Sequence, residues 1–403
     1  MKLLFISNGH GEDVIGARLA REFQAIRPDW FLEAVPIVGH GNAYERLGVT
    51  VSGPRWSPPS GGFTFTSASR FLEDWRAGMR QKTHQQHWAV RRAKADIVLV
   101  VGDLYALGVT RLFAFKEAKP LVFQVQPLVS RYYQDGMDAK TRLERLNRVT
   151  VDSFTAPELW LMKSIVQHVY ARDARTAAWL HELGVAHSSF LGNVMMDCLE
   201  PELDLSPALD GKPVLALLPG TRDDHLESLP KMLDVVAGLP EFQTFAALAQ
   251  PSPHLELSTG WLWIAPNTVD NSVGVTRVAQ HTSGTRVAIL EDGFAALLQK
   301  ASIVLGTSGT GNEQAVGLGK PVVGFATRGP QYTANFAAAQ KRLLGAGLTL
   351  VDNSSIAALI LAVRQASQKH DITKVVGLER MGESGGAARI VAHIVAQISK
   401  PTD

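Results

Sequence analysis

One unit recurs along this chain: a short apolar run, a glycine-bearing loop, then a segment with apolar residues at helical spacing. Uninterrupted apolar runs of strand length are buried on both faces, and helices between them make the strands parallel. In the first half the pattern predicts strands at 3–6, 33–38, 97–101, 121–125 and 168–170, with helices such as 14–23 and 104–116 between them. In the second half it predicts strands at 214–218, 244–247, 286–290, 303–305, 322–325 and 349–351. Two such series in one chain imply two doubly wound α/β domains facing each other. A polar stretch from Gly192-Asn193 to Gly211, punctuated by Pro201, Pro207 and Asp210, sets the change of domain, giving 1–196 and 197–383. The last helix, 387–398 within 384–400, is expected to cross back onto the first domain.

Length and charge narrow the class. A chain of 403 residues can bury two full cores, and 46% hydrophobic and 19% charged residues describe an ordinary globular protein. A net charge of +2 argues against a dedicated nucleic-acid binder. Cys198 is the only cysteine, so no internal disulfide exists and a reducing compartment is suitable. It reads as a small packing residue. No apolar stretch approaches the roughly 20 residues of a spanning helix, so a cytoplasmic protein, soluble or peripheral, is expected.

Four loops carry the candidate chemistry. After the strand at 303–305, the loop of Gly306, Ser308, Gly309, Thr310 and Gly311 opens a short helix that contains Glu313. Such a loop brings backbone N–H groups and a positive helix dipole to one point, which suits a diphosphate, while Glu313 is placed for a ribose diol. A second loop, Pro219-Gly220-Thr221-Arg222-Asp223, offers Gly220 and Thr221 to a phosphate oxygen and the Arg222 guanidinium to its charge. The third, Asn8-Gly9-His10-Gly11-Glu12-Asp13, follows the first strand, and Gly39-His40-Gly41 follows the second. It lacks a dinucleotide fingerprint, because Gly16 comes five residues after Gly11 and no acid ends the second strand. The fourth is Asp103, at the carboxyl end of 97–101, which on local grounds reads first as the N-cap of the helix beginning at Leu104 and then as a catalytic base. His10 and Glu12 compete for the base role. Each glycine loop also has a plain reading as a tight strand-to-helix turn.

Taken in order, GHGEDVIGA (9–17), VGHGNAYERLGV (38–49), LVVGDLYALG (99–108), LLPGTRDDHL (217–226) and TSGTGNEQAVGLGKPVV (307–323) resemble lipid A disaccharide synthase. The resemblance extends to FLGNVMMD (190–197), similar to that family's interdomain signature, and covers most of the chain. It implies the GT-B fold of two Rossmann-like domains and an inverting, metal-independent transfer of a hexosamine-type sugar from a UDP-sugar to a lipid-linked acceptor. No cofactor is implied, the UDP-sugar being the donor substrate. Position by position, Asp103 matches the family's catalytic aspartate and Arg222 the arginine of its PGSR motif. Ser308, Gly309, Thr310 and Glu313 match its nucleotide loop. The block from Gly329 through Gln331 and Asn335 to Gln340 is similar to the donor loop of related peptidoglycan glucosaminyltransferases. Two departures, GHGED for GEASGD and PGTR for PGSR, point to a relative whose donor half is retained and whose acceptor differs.

Residues 56–82 bear on that acceptor. Trp56, Phe63 and Phe65 precede Phe71, Leu72, Trp75 and Met79, which fall at helical spacing among Arg70, Arg76, Arg80 and Lys82. Aromatic groups bordered by cations suit a helix lying on a lipid surface, on the cytoplasmic face of a membrane, although a core helix with a basic face has the same pattern. Two other functions fit the same fold: a UDP-sugar 2-epimerase, whose opening arginine-proline-glutamate motif is absent, and a non-catalytic nucleotide-sugar or lipid binder.

Overall fold

The computed structural model describes residues 1–58, 72–73, 75–116, 119–137, 153–201, 203–220, 224–249, 252, 255–329, 332–352 and 355–399. Phe63, Phe65, Arg70, Phe71, Thr221, Arg222 and Gln331 lie outside them. The chain divides into two compact units, one of Met1–Cys198 with Glu383–Asp403, the other of Leu199–Gly382.

The first unit is built on a seven-stranded sheet, in the order β3-β2-β1-β4-β5-β6-β7. Its strands are β1 Lys2–Ser7, β2 Phe31–Pro36, β3 Thr50–Val51, β4 Ile97–Val101, β5 Leu121–Gln126, β6 Val166–Ala171 and β7 Ser188–Ser189. Every pairing is parallel. The apolar runs explain this: Leu3 and Phe5 of β1 enter one core with Phe23, while Leu4 and Ile6 enter the core on the opposite face. Neither face is left for solvent, so helices must cover both.

The Leu3/Phe5 core is completed from the far end of the chain, by Ile390, Val391 and Ile394 of the Gly386–Ile398 helix. Asp197 fastens the start of that helix, its carboxylate accepting from the N–H of Gly385 and, at 2.7 Å, from that of Ala387. Its own carbonyl accepts from Arg18 Nε at 3.0 Å. Gly192 is obligatory beside it, since φ is +111° and an added Cβ would lie 2.8 Å from Gly386 Cα.

The second unit holds an eight-stranded sheet, β10-β11-β12-β9-β8-β13-β14-β15. Here β8 is Val214–Leu218, β9 Gln243–Ala247, β10 Trp261–Ile264, β11 Val275–His281, β12 Arg286–Leu290, β13 Ile303–Gly306, β14 Val322–Gly324 and β15 Leu348–Leu350. The strands from β12 to β15 along this order are parallel, whereas β10 and β11 extend the edge as antiparallel strands. These two strands, with the two-residue β3 and β7, are the ones the sequence pattern does not reveal. β8 and β13 sit side by side at the centre, so the loops that follow them are neighbours.

Replacing Asp197 with Ala removes an anionic cap from the Gly386–Ile398 helix. Loss of one such cap costs about 1–2 kcal/mol. Chemical denaturation of Asp197→Ala is expected to show that loss in the transition that reports the first unit, with Asp197→Asn intermediate.

Candidate functional site

At the carboxyl edge of the first sheet, Ser7 of β1 stands opposite Val101 of β4, so the loops leaving these strands run together. Asn8 Nδ2 donates to Asp103 Oδ1 at 2.9 Å, and the Tyr105 N–H donates to the same oxygen at 3.0 Å. Asp103 therefore caps the Leu104–Phe113 helix and also presents a carboxylate at the strand end. Gly102, at φ +144°, makes the turn, and its carbonyl accepts from Gln124 Nε2 at 2.9 Å. Burial raises the Asp103 carboxyl above its usual range, against the lowering effect of the Tyr105 amide and Asn8.

Further acids gather around it. Glu12, half-buried, folds back over Gly9, where an added Cβ would come within 2.4 Å of its Oε2. Burial pushes it up to about 7, helped by the charges of Asp103 and Asp13. Asp13 turns inward and accepts from Ser7 Oγ at 2.5 Å, and the Tyr44 hydroxyl donates to Ser7 Oγ at 3.3 Å. Burial pushes Asp13 up to about 7 as well, outweighing its hydrogen bonds from Ser7 and Gly41. Glu158, in the first turn of the Ala156–Ile165 helix, is buried and pushed up to about 8, chiefly by desolvation and then by the Asp103 charge. His10 is exposed, with Nδ1 3.2 Å from where a Cβ on Gly39 would stand. Of the three sequence candidates on this edge, Asp103 and Glu12 are near enough for their charges to interact, and His10 opens the helix that carries Glu12. Asn8 and Asp13, at the two ends of the same candidate loop, join them, and so does Glu158, which the sequence does not single out.

On the second sheet, Thr307 leaves β13 with its N–H bonded to Leu218 O of β8 at 2.9 Å. Ser308, Gly309 and the Thr310–Gly317 helix follow, and Ser308 Oγ accepts from the Gly311 N–H at 3.2 Å. Three buried side chains hold this loop from below. Gln340 Nε2 donates to the carbonyls of Ser308 at 3.3 Å and Gly309 at 2.7 Å. Gln340 Oε1 accepts from Asn312 Nδ2 at 2.9 Å and from the Tyr332 hydroxyl at 2.7 Å. Asn312 Nδ2 also reaches Gly306 O at 3.2 Å. Gly306 must be glycine, because an added Cβ would meet Asn312 Oδ1 at 2.0 Å.

Glu313 is buried in the first turn of this helix, and Gly220, at φ +97°, ends the neighbouring loop after β8. Ser228 Oγ ties the Asp224–Val236 helix to that loop by donating to Pro219 O at 2.7 Å. Asn335 does not join the polar network; it is exposed in the first turn of the Ala334–Leu344 helix, which Thr333 caps. The residue of that block that reaches the loop is Gln340, one helical face later. Its partner Asn312 gave no distinct sign in the sequence, because Glu313 and Gln314 beside it are polar and buried as well. Among the described residues, no group of three or more His, Cys, Asp or Glu is arranged to hold a metal ion.

No protein-family model and no curated protein matches the chain. Solved structures do. The UDP-GlcNAc 2-epimerase of Neisseria meningitidis bound to UDP-GlcNAc superposes with a TM-score of 0.57 at 16% identity, over 98% of this chain and 100% of that one. The calicheamicin glycosyltransferase CalG4 superposes with a TM-score of 0.61 at 15% identity, over 100% and 99%. The UDP-GlcNAc 2-epimerase of Methanocaldococcus jannaschii, in complex with UDP-GlcNAc and UDP, gives 0.54 at 16%, over 98% and 100%. The fold is GT-B. At these identities the likeness carries the fold alone. None of these three structures is a lipid A disaccharide synthase, the family that the sequence motifs resemble.

The buried acids give a pH signature with a definite sign. Glu158 has its folded-state value raised above that of the unfolded chain, so its burial costs nothing in acid and progressively more as pH rises from about 4.5 to about 8. Glu158→Gln is expected to leave stability near pH 4.5 almost unchanged and to raise it at pH 8.5 by on the order of 2 kcal/mol. Urea denaturation at the two pH values checks this, and an equal change at both would contradict it.

Proposed function

We propose that the protein is a UDP-sugar-dependent glycosyltransferase that transfers a hexosamine-type sugar to a lipid-linked acceptor. The observation that carries this reading is Asp103, a strand-end carboxylate oriented through Oδ1 by Asn8 and the Tyr105 amide and raised by burial above the usual carboxylate range. In the reaction, the acceptor hydroxyl gives its proton to Asp103 as its oxygen bonds to the anomeric carbon. The bond from that carbon to the diphosphate breaks, the electron pair leaves with UDP, and the configuration inverts. Charge developing on the leaving UDP meets the 306–311 loop and the guanidinium of Arg222, and Glu313 holds the ribose. The buried placement of Glu313 and the backbone-lined loop support this assignment. His10 and Glu12 remain as groups that assist or replace Asp103, as base or through the acceptor's other hydroxyls.

The acceptor half of the proposal draws on the surface before β4. From Trp75 to Ala95 the chain carries Arg76, Arg80, Lys82, Arg91, Arg92 and Lys94 and no acid. Leu72, Trp75 and Trp88 are exposed, and the guanidinium groups of Arg91 and Arg92 lie 5.6 Å from the Trp88 ring. Cations interleaved with exposed aromatic groups favour an anionic lipid surface. No helix among the described residues is long and apolar enough to cross a membrane, so contact would be peripheral. Sedimentation with phosphatidylglycerol vesicles is expected, with release in 0.5 M salt, about the ionic strength at which such pairs are screened.

A second reading, UDP-sugar 2-epimerisation, is favoured by the three carboxyl groups around Asp103 and by the epimerases among the structural neighbours. Product analysis separates the two. UDP-GlcNAc is incubated with and without a lipid-linked sugar and followed by NMR. UDP release that requires the acceptor supports transfer, whereas a new UDP-sugar formed without acceptor supports epimerisation and overturns the main reading. Asp103→Asn is expected to lower kcat by about 10²–10⁴ while leaving UDP affinity within about twofold.

A further inference from the structure

The amide of Gln340 is fully used: both donors go to carbonyls of the glycine loop, and its oxygen accepts from two buried partners. Gln340 and Tyr332 are themselves buried, as is Asn312. So complete a network under a surface loop does more than fill space. In a trans peptide the carbonyl of one residue and the N–H of the next point in opposite directions, and the described chain has no cis peptide. Drawing the carbonyls of Ser308 and Gly309 down onto Gln340 therefore turns the N–H groups of Gly309 and Thr310 away from it. The same geometry is visible one step earlier. Asn312 holds the Gly306 carbonyl, and the Thr307 N–H on the other side of that peptide points to Leu218 O of β8. The N–H groups of Gly309 and Thr310 have no such strand to meet, and no described residue accepts from them. Ser308 Oγ, meanwhile, occupies the next N–H, that of Gly311.

We propose that Gln340 is a positioning residue for the nucleotide diphosphate: held by Asn312 and Tyr332, it fixes two outward N–H groups, of Gly309 and Thr310, on the phosphate oxygens. This deepens the donor-site reading and rests on it. Without Gln340 the Ser308–Gly309 peptide loses its described anchor, while the Gly309 carbonyl keeps only the Glu313 N–H at 3.3 Å, and a flipped peptide presents a carbonyl oxygen to the diphosphate in place of a donor. The effect is specific to phosphate charge. A ligand held mainly through base and ribose should feel it little.

The test compares UDP with UMP by titration calorimetry, taking the ratio of their affinities as the readout. Wild-type protein is expected to prefer UDP. In Gln340→Met, similar in size and without donors, the UDP affinity should fall about tenfold, the loss of one to two good hydrogen bonds to charge. UMP should change much less, so the ratio collapses. Tyr332→Phe keeps the ring and removes one hydroxyl, and should lower the ratio by a smaller factor even where Gln340→Met fails to fold. Gln340→Glu removes the donors and adds charge, and should lose the preference entirely. A wild-type preference for UDP that all three variants retain would overturn the role of Gln340 and leave the donor site standing. Failure of wild-type protein to bind UDP would overturn the donor site itself, and this proposal with it.

Discussion

Burial of the central strands on both faces is the constraint from which the rest of this molecule follows. A strand such as β4, Ile97–Val101, has no exposed residue, so helices must lie on both sides of the sheet and every return crosses over it. All strands of the first sheet then end at the same edge, and their loops meet there. Asn8 finds Asp103 across 95 positions of sequence for this reason alone. The second sheet repeats the arrangement with β8 and β13, bringing Gly220 close to Gly306 and its loop.

The two edges then use opposite electrostatics. The first gathers carboxyl groups away from solvent, where desolvation holds protons on Glu12, Asp13 and Glu158 that bulk water would remove. Packing such groups together is unfavourable for the fold, and clusters of this kind are enriched at functional sites. The second edge has a buried network made only of neutral amide and phenol groups. It shapes the backbone and leaves the loop to supply the partial positive charge through its peptide N–H groups.

Much of this was legible in the sequence, and the reason is physical. Apolar runs bounded by glycine mark parallel strands well, and the central strands of both sheets lie where those runs fall. The antiparallel pair β10 and β11 was not legible, because Trp261–Ile264 is an apolar run of only four residues and Val275–His281 mixes Thr276, Arg277, Gln280 and His281 into its pattern. Asp103 shows a different limit. The sequence posed cap and base as alternatives, while the carboxylate has oxygens enough for the cap bond and a further partner. Asn335 and Gln340 lie on one helix, and only its rotation about the axis decides which of them meets the loop. Sequence spacing alone does not fix that angle. Glu158 was unmarked for a related reason, since an Asp or Glu at a helix start ordinarily faces water.

The capping of the last helix by Asp197 has a bearing on how the protein is made. The first unit is closed by residues that follow the whole of Leu199–Gly382, so the second unit is, in chain order, an insertion within the first. On a ribosome the second unit has all its residues in hand first. The first must wait with the Leu3 and Phe5 face of its sheet only partly covered, by Ile15, Leu19 and Phe23, until Ile390, Val391 and Ile394 emerge. A chain cut short by twenty residues would thus leave a gap in the core of the part made earliest and none in the part made later.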